Sequence, residues 1–384
     1  MGTPSRHALD IPELAAHTLS FVDSTADLHG TAFLTRPLLH LSQSRLFSKI
    51  ELKFDGPLAD ARLGRLLAAL EISPHLLGWI TTLTIFRFSR FDSGHLQRLG
   101  NLSFSRLTTR LVTLDIDNFD REPLSESGLS AVQQLLRSPA LVSVSLRYGF
   151  SGGEQFMGVW ERCSQSIKHV TYSVAGDLET RPTPTASGAV FSSPRGRIKL
   201  DSLGAPHLSD IAAICKPDVN CPFDVSGLRA FMTYSPMNDS LIETVFGSIG
   251  TIDLLSLPTW GLQDVPPGRF CGVTQLELEH NWNDSPSHDF SMLTPEIRGR
   301  IVAIRFHELH MTQFDLCTLD EELSGIHEFF PKLRKLHILF YPEDEKLREW
   351  LEVYEPSVQP EIIAEHNIHH VDSYKSLPWY TSIV

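Results

Sequence analysis

The sequence predicts an α/β protein in which a small helical N-terminal block is followed by an irregular α/β solenoid. Two observations support the solenoid: a short strand-like pattern of apolar residues recurs along most of the chain, and helical patterns lie between its copies. A third observation sets the first 52 residues apart, because they contain helical patterns but no clear copy of this repeat. The predicted boundaries are 1–52 for the N-terminal block, 53–355 for the solenoid and 356–384 for a C-terminal extension that caps the solenoid's open end.

The recurring pattern is apolar-x-x-apolar-x-apolar, as in Ile80-Thr-Thr-Leu83-Thr-Ile85, and it predicts a short strand that turns every second residue inward. The intervals between central apolar residues range from 21 to 33 residues. They average about 28, at the long end of the ~20–29 residues of a leucine-rich repeat. The central residues are Leu83, Leu114, Val144, Val170, Ile198, Phe231, Ile252, Leu276, Ile304 and Leu336, of which the units at Ile198 and Phe231 are weak.

Helical spacing of apolar residues separates these predicted strands. It occurs in residues 63–70, 129–136, 156–160, 208–214, 241–246, 319–330 and 347–351. A strand followed by a helix, repeated, predicts a right-handed α/β solenoid in which each unit buries its strand face against its helix and its neighbours. The alternative is an α/β domain that alternates strands and helices without a true repeat.

The N-terminal block begins with a different signal. The segment Ile11-Pro12-Glu13-Leu14 predicts a helix that starts at a proline, which is a favoured first residue of helices. The block ends in Arg45–Leu52, which alternates apolar and polar residues like a strand.

These segments resemble the F-box-like proteins of mushroom-forming fungi, in which a Pro-Glu-Leu helix opens the domain and a Leu-Phe-x-x-Ile-x-Leu strand leads into leucine-rich-repeat-like units. The residues that carry the resemblance are Ile11, Pro12, Glu13, Leu14, Leu19, Phe21, Val22, Leu46, Phe47, Ile50 and Leu52. The resemblance implies that the block binds a Skp1-like adaptor and that the chain is a substrate-recruiting subunit of a cullin-type ubiquitin ligase. The adaptor-binding residues that it implies are Ile11, Pro12, Glu13, Leu14, Leu19 and Phe47.

Residues 30–41 depart from that family, whose members carry a Cys-Ser-x-Val-Cys-Arg-x-Trp-like segment there. This chain has neither cysteine nor tryptophan in the stretch, and Pro37 lies where a helix is expected. The departure favours a second hypothesis, in which the chain is a leucine-rich-repeat-like binding scaffold without an adaptor or ligase role. A third hypothesis is an enzyme with an unfamiliar active site.

Motifs of known enzyme classes are missing from the sequence. It contains no phosphate-binding loop, no dinucleotide-binding glycine pattern and no nucleophile elbow. Cys215 and Cys221 lack a second close pair, and His366 with His370 fits a polar helix face better than a metal site. We therefore expect no enzymatic activity, no metal and no cofactor.

The net charge limits the classes of partner that the chain can bind, and the cysteines indicate its compartment. A formal net charge of −13 repels nucleic acid and anionic membranes, so we expect neither as a partner. Five scattered cysteines, with no signal-peptide-like segment at the N-terminus and no apolar run long enough to span a bilayer, predict reduced thiols in the cytoplasm or nucleus.

A solenoid of this kind would carry its function on the strand residues that alternate with the inward ones. Such residues line one continuous face, here with mixed charge and a few large side chains, and we expect this face to bind an unknown protein partner. The alternative is an ordinary solvated sheet face. The predicted partner-binding residues are Phe86, Asp115, Asp117, Arg147, Lys199, Tyr234, Asp253, Glu277, Glu279, Arg305 and His337.

Overall fold

In a computed structural model of the chain, short strands alternate with helical or irregular connections. The structure describes residues 12–22, 24–34, 36–53, 59–86, 110–117, 126–148, 158–160, 163–174, 197–205, 222–233, 247, 249–258, 272–279, 290, 293–307, 326–339 and 361–364. Internal contacts divide the chain into two units. The first comprises Met1–Leu200 with Pro217–Asp224, and the second comprises Asp201–Lys216 with Val225–Val384.

Three helices open the first unit: α1 (Pro12–Ser20), α2 (Thr25–Thr31) and α3 (Arg36–Leu46). Helix α2 begins after Ser24, whose hydroxyl accepts a hydrogen bond from the Asp27 amide at 3.4 Å and so caps the helix. The Arg45 guanidinium donates to the carbonyl of Leu19 and ties the end of α3 to α1. The helices share a small buried core of Ala15, Leu19, Leu28 and Leu38, with Val22, Leu41 and Leu46 packed around it.

Five parallel strands follow in chain order: β1 (Lys49–Lys53), β2 (Thr82–Phe86), β3 (Thr113–Asp117), β4 (Ser143–Tyr148) and β5 (His169–Val174). Helix α4 (Ala59–Ile72) and a 3-10 helix (Pro74–Trp79) connect β1 to β2, and α5 (Glu126–Leu136) connects β3 to β4. Strands β6 (Ile198–Lys199) and β8 (Phe223–Asp224) form a separate parallel pair. The strand registers align the buried central residues Leu83, Leu114, Val144 and Val170.

The described residues of the second unit form seven parallel strands, again in chain order: β7 (Ser202–Ala205), β9 (Ala230–Thr233), β10 (Leu254–Pro258), β11 (Gln275–Glu279), β12 (Ala303–His307), β13 (Lys335–Leu339) and β14 (Glu361–Ala364). Its described helices are short: α6 (Pro295–Arg298) and α7 (Ile326–Phe329). The buried central residues in register are Leu203, Phe231, Leu255, Leu276, Ile304 and Leu336. Parallel strands stacked in sequence order confirm the predicted α/β solenoid at the level of architecture.

The same pair of backbone hydrogen bonds joins successive repeats. The carbonyl of the residue just before a strand accepts hydrogen bonds from two successive amides of the next repeat. The Val112 carbonyl, for example, accepts from the amides of Val142 at 2.8 Å and Ser143 at 3.0 Å. We call this position the lead-in residue. Lead-in carbonyls of this kind lie at Ser48, Thr81, Val112 and Val142 in the first unit and at Asp201, Arg229, Asp253, Thr274 and Val302 in the second. Each one marks the same point of a repeat, so side chains of different repeats can be compared position by position.

The structure corrects the frame of two predicted strands. Where Ile249–Leu254 was expected to form a strand centred on Ile252, the strand begins at Leu254 and its buried central residue is Leu255. Where Ile198 was expected to be central, the main-sheet strand is β7 and its central residue is Leu203. Apolar residues occupy both frames in each stretch, so the local pattern could not choose between them, whereas pairing with a neighbouring strand does.

The connections agree with the predicted helices in part. Helices α4 and α5 cover the patterns at 63–70 and 129–136, and residues 158–160 and 326–329 are helical within the next predicted segments. The predicted helices at 208–214, 241–246 and 347–351 lie outside the described residues. Strand β14 adds to the sheet beside β13, inside the segment that was predicted to be a separate cap.

Candidate functional site

The register of the first unit brings three predicted partner-binding residues side by side. Phe86, Asp117 and Arg147 occupy equivalent positions at the carboxyl ends of β2, β3 and β4. The Arg147 Nη2 atom lies 2.9 Å from Asp117 Oδ2 and 4.0 Å from Asp115 Oδ1, so one guanidinium holds two carboxylates. The strand registers therefore place these three residues on one face of the sheet.

Burial closes this cluster to a partner. Asp117 is only 2% exposed, Phe86 and Asp115 are also buried, and the Arg147 side chain is 11% exposed. Removing one partner of an ion pair that is shielded from water is costly, because the other charge is then buried without a counter-charge. We therefore assign Asp115, Asp117 and Arg147 to the internal support of the sheet in this conformation. Residues of the outward face that stay partly exposed lie two or four residues earlier on the strands, and include Thr82, Thr84, Thr113, Ser143, Ser145 and Thr171.

A second ion pair occupies the outward face of the second unit. Glu277 on β11 and Arg305 on β12 are in register, and Arg305 Nη1 lies 3.3 Å from Glu277 Oε1. Glu277 is 3% exposed, and its register neighbours Ser256 and Met232 are buried as well. The outward row of this unit is therefore covered from β9 to β11. Glu279 and His337 lie on strands, but their side chains are outside the described part, as is the whole of Tyr234.

Two predicted partner-binding residues fall outside the outward row. Lys199 lies in β6, which pairs with β8 and not with the main sheet. Asp253 is a lead-in residue before β10, where its Oδ2 atom accepts hydrogen bonds from Arg229 at 2.7 Å. Both errors follow from the shifted strand frames. The Arg229–Asp253 pair is also largely exposed, at 57% and 41% of the two side chains, so it contributes little stability.

The N-terminal block presents a different kind of surface. Five of its large apolar side chains point into solvent although the block has a core of its own. Phe21 is 72% and Phe33 86% exposed. Single exposed apolar residues are ordinary, but several on one small three-helix block indicate a contact surface. The exposed side chains are Leu14, Phe21, Phe33, Leu34 and Leu39.

The residues predicted to bind an adaptor divide between this surface and the core. Glu13 and Leu14 are exposed on α1, and Phe47 is partly buried just after α3. Leu19 is buried in the block's core, so in this conformation it supports the surface from within and does not form part of it. Pro12 is the first residue of α1, but its side chain is not among those described, and Ile11 lies outside the described residues.

Sequence reasoning missed Phe33 and Leu34 as surface residues. They follow α2 in the turn that precedes α3, within the stretch that departs from the F-box-like pattern. A pair of large apolar residues in a short helix-to-helix connection is the signal that could have identified them.

The N-terminal block has no net charge, with five acidic and five basic residues in 1–53. The rest of the chain therefore carries the whole net charge of −13.

The described residues include one cysteine, Cys163. Cys163 is buried, and burial raises the pKa of its thiol to about 12, so the thiol is protonated and unreactive near neutral pH. Among the described residues no three His, Cys, Asp or Glu side chains are grouped so that they could hold a metal ion. In the same part of the chain, no helix has the length and apolar character that crossing a membrane requires.

Comparison with known proteins identifies no family. No family model matches this chain, and no curated protein matches it. Among solved structures, the crystal structure of a Bacteroides fragilis protein, a structural genomics target, is similar over 79% of this chain and 72% of that chain, with a TM-score of 0.32 and 11% identity. A likeness this weak does not indicate a shared function.

Proposed function

We propose that this chain is a protein–protein interaction scaffold that docks a partner through the exposed apolar surface of its N-terminal helices. The observation that carries the proposal is the contrast within one small block. Leu19, Leu28 and Leu38 already form its core, yet Phe21 and Phe33 remain in solvent. The buried core of the block contains neither of these two aromatic side chains.

The energetics favour a binding role for this surface. Covering one exposed Phe or Leu side chain is worth about 1.5–3 kcal/mol, and aromatic residues are frequent anchors of protein interfaces. Several such side chains can offset the cost of association, which is on the order of 4–15 kcal/mol. The balanced charge of residues 1–53 imposes no repulsion on a partner of either sign, unlike the acidic remainder of the chain.

The partner that fits the resemblance to F-box-like proteins is a Skp1-like adaptor, which would make the chain a substrate-recruiting subunit of a cullin-type ubiquitin ligase. The exposure of Glu13 and Leu14 on α1 supports this version, since the resemblance assigns both to the adaptor contact. The second candidate is a repeat-type scaffold without a ligase role. The altered stretch at 30–41 favours it, because Phe33 and Leu34 replace the segment usual in the family.

The test is binding of the complete chain to the host's Skp1-like adaptor, measured by calorimetry. The double variant Phe21→Asp with Phe33→Asp should lose binding by at least ~100-fold, since truncating an interface anchor typically costs about 2 kcal/mol or more. The matched control is Ile72→Asp, because Ile72 is an equally apolar residue, 82% exposed, at the end of α4. The control should bind like the native chain.

Each outcome decides between the candidates. Loss of binding in the double variant alone, with the thermal unfolding midpoint unchanged, supports adaptor docking. Native-like binding by the double variant shows that the exposed aromatic residues are not the contact. If the native chain does not bind the adaptor at all, the ligase role is excluded and the scaffold without an adaptor remains.

A further inference from the structure

Two consecutive repeats near the end of the second unit carry an unusual group of positive charges. The Val302 carbonyl accepts hydrogen bonds from the amides of Arg334 at 2.8 Å and Lys335 at 3.2 Å, so Val302 and Arg334 occupy equivalent lead-in positions. Arg300 lies two residues before Val302, and Lys332 lies two residues before Arg334, so these two cations are also equivalent. In the three preceding repeats the position of Arg300 and Lys332 is held by Gly227, Thr251 and Gly272. A positive charge at this position is therefore not a feature that the repeats share.

The alignment gathers these charges at one edge of the sheet. Ala303 pairs with Lys335 in the β12–β13 register, and neighbouring strands are only about 5 Å apart, so the turn before β12 lies beside the turn before β13. Arg300, Lys332, Arg334 and Lys335 are all exposed there. The sequence separates the two groups by more than thirty residues, and parallel pairing brings them together.

A fifth cation lies at the end of the adjacent helix. The Arg298 guanidinium stacks over the Phe329 ring, with its central carbon 5.6 Å from the ring centroid. The described acidic residues on these and the adjacent elements are Glu296 on α6, Glu328 on α7 and Glu361, which pairs with Lys335 in the β13–β14 register. Five cations against three carboxylates leave a local excess of positive charge. Within the described part of the chain, no carboxylate forms an ion pair with Lys332, Arg334 or Lys335. We call residues 298, 300, 332, 334 and 335 the basic edge.

We propose that the basic edge binds an acidic segment of a partner protein. Clustered, exposed arginine and lysine side chains offer paired hydrogen bonds to carboxylates as well as charge attraction. A polynucleotide would extend beyond this small edge and meet the field of a chain whose net charge is −13. A short acidic peptide stays within about one screening length, ~8 Å at physiological salt, and experiences mainly the local positive charge. This proposal does not depend on the N-terminal block.

The experiment is fluorescence anisotropy of a labelled octapeptide of glutamate with the complete chain at low and high salt. We expect salt-sensitive binding that the double variant Arg334→Glu with Lys335→Glu weakens at least about tenfold, because two exposed charge contacts, worth ~0.2–1 kcal/mol each, are lost and two repulsive charges replace them. The control is Arg65→Glu with Arg137→Glu, which changes the net charge equally at two exposed positions of the first unit. The control should bind within about twofold of the native chain, since it leaves every charge of the basic edge unchanged.

Several results would overturn the proposal. Equal weakening by both double variants would show that only the overall charge matters, and the absence of peptide binding by the native chain would remove the basis of the inference. A single-stranded oligonucleotide of the same charge that binds more tightly than the peptide would assign the edge to nucleic acid. A native dimer in ultracentrifugation that Arg334→Glu with Lys335→Glu converts to a monomer would assign it to a second copy of the acidic chain.

Discussion

Replacing Asp117 with Asn tests whether the buried ion pair supports the first unit. Asn keeps the shape of the side chain but removes its charge, and it leaves Arg147 with Asp115 at 4.0 Å as a second carboxylate. Breaking a buried pair typically costs about 3–5 kcal/mol. Because Asp115 compensates in part and Arg147 retains slight access to water, we expect Asp117→Asn to lower the free energy of unfolding by about 2–3 kcal/mol.

Urea unfolding followed by circular dichroism measures this loss. With a denaturant slope of ~2–3 kcal/mol per molar, the midpoint should fall by about 1 M. The matched control is Asp253→Asn, which removes a carboxylate that lies as close as 2.7 Å to Arg229 but in an exposed pair. Its cost should stay below about 0.5 kcal/mol, because solvent already screens both charges.

The comparison of the two variants decides the matter. If Asp253→Asn costs as much as Asp117→Asn, burial is not what makes the first pair important. If the midpoint of Asp117→Asn stays within about 0.2 M of the native chain, the cluster around Arg147 does not support the sheet, and its residues become available again as binding residues.

Two further predictions concern a buried thiol and a glycine in close contact with the backbone. Iodoacetamide at pH 8 should leave Cys163 unlabelled in the native chain and label it in urea, as followed by mass spectrometry, because burial raises the pKa of the thiol from 9.0 to about 12. The folded state holds this proton more tightly, so the thiol's contribution to stability is complete below pH 9 and is lost as the pH rises towards 12; labelling without urea would contradict this. Gly250→Ala places a Cβ atom 2.7 Å from the Ser226 carbonyl oxygen and should cost about 1–3 kcal/mol in thermal unfolding. Gly78→Ala, with nothing within 4 Å of the added atom, is the control, and equal midpoints for the two variants would show that the close approach is not present.

The sequence predicts most of the repeat architecture because the signal is local. A strand with one buried face must alternate apolar and polar residues, and Leu83, Leu114 and Val144 reveal that alternation without reference to the rest of the chain. The prediction fails at Leu203 and Leu255 for the same reason. Both stretches contain apolar residues in two overlapping frames, and local information cannot choose between frames that are equally apolar.

The predicted binding face shows a second limit. Alternation correctly assigns Asp117 and Glu277 to the outward side of their strands, but it says nothing about whether that side is open to solvent. Their burial depends on residues distant in sequence, including Arg147 and Arg305 from the following repeats. A charged residue on the polar side of a strand therefore need not be a surface residue.

What the sequence alone determined is the order of elements, the parallel α/β repeat and the helical character of the N-terminal block, since each follows from the spacing of apolar residues along a short segment. Only the tertiary structure decided which charges are buried, which aromatic side chains stay in solvent and which cations meet at one edge. Arg300 and Lys332 become neighbours because parallel pairing superimposes consecutive repeats. Phe33 is exposed because the core of its block is filled by other side chains. Both outcomes depend on contacts between distant segments, which no local pattern contains.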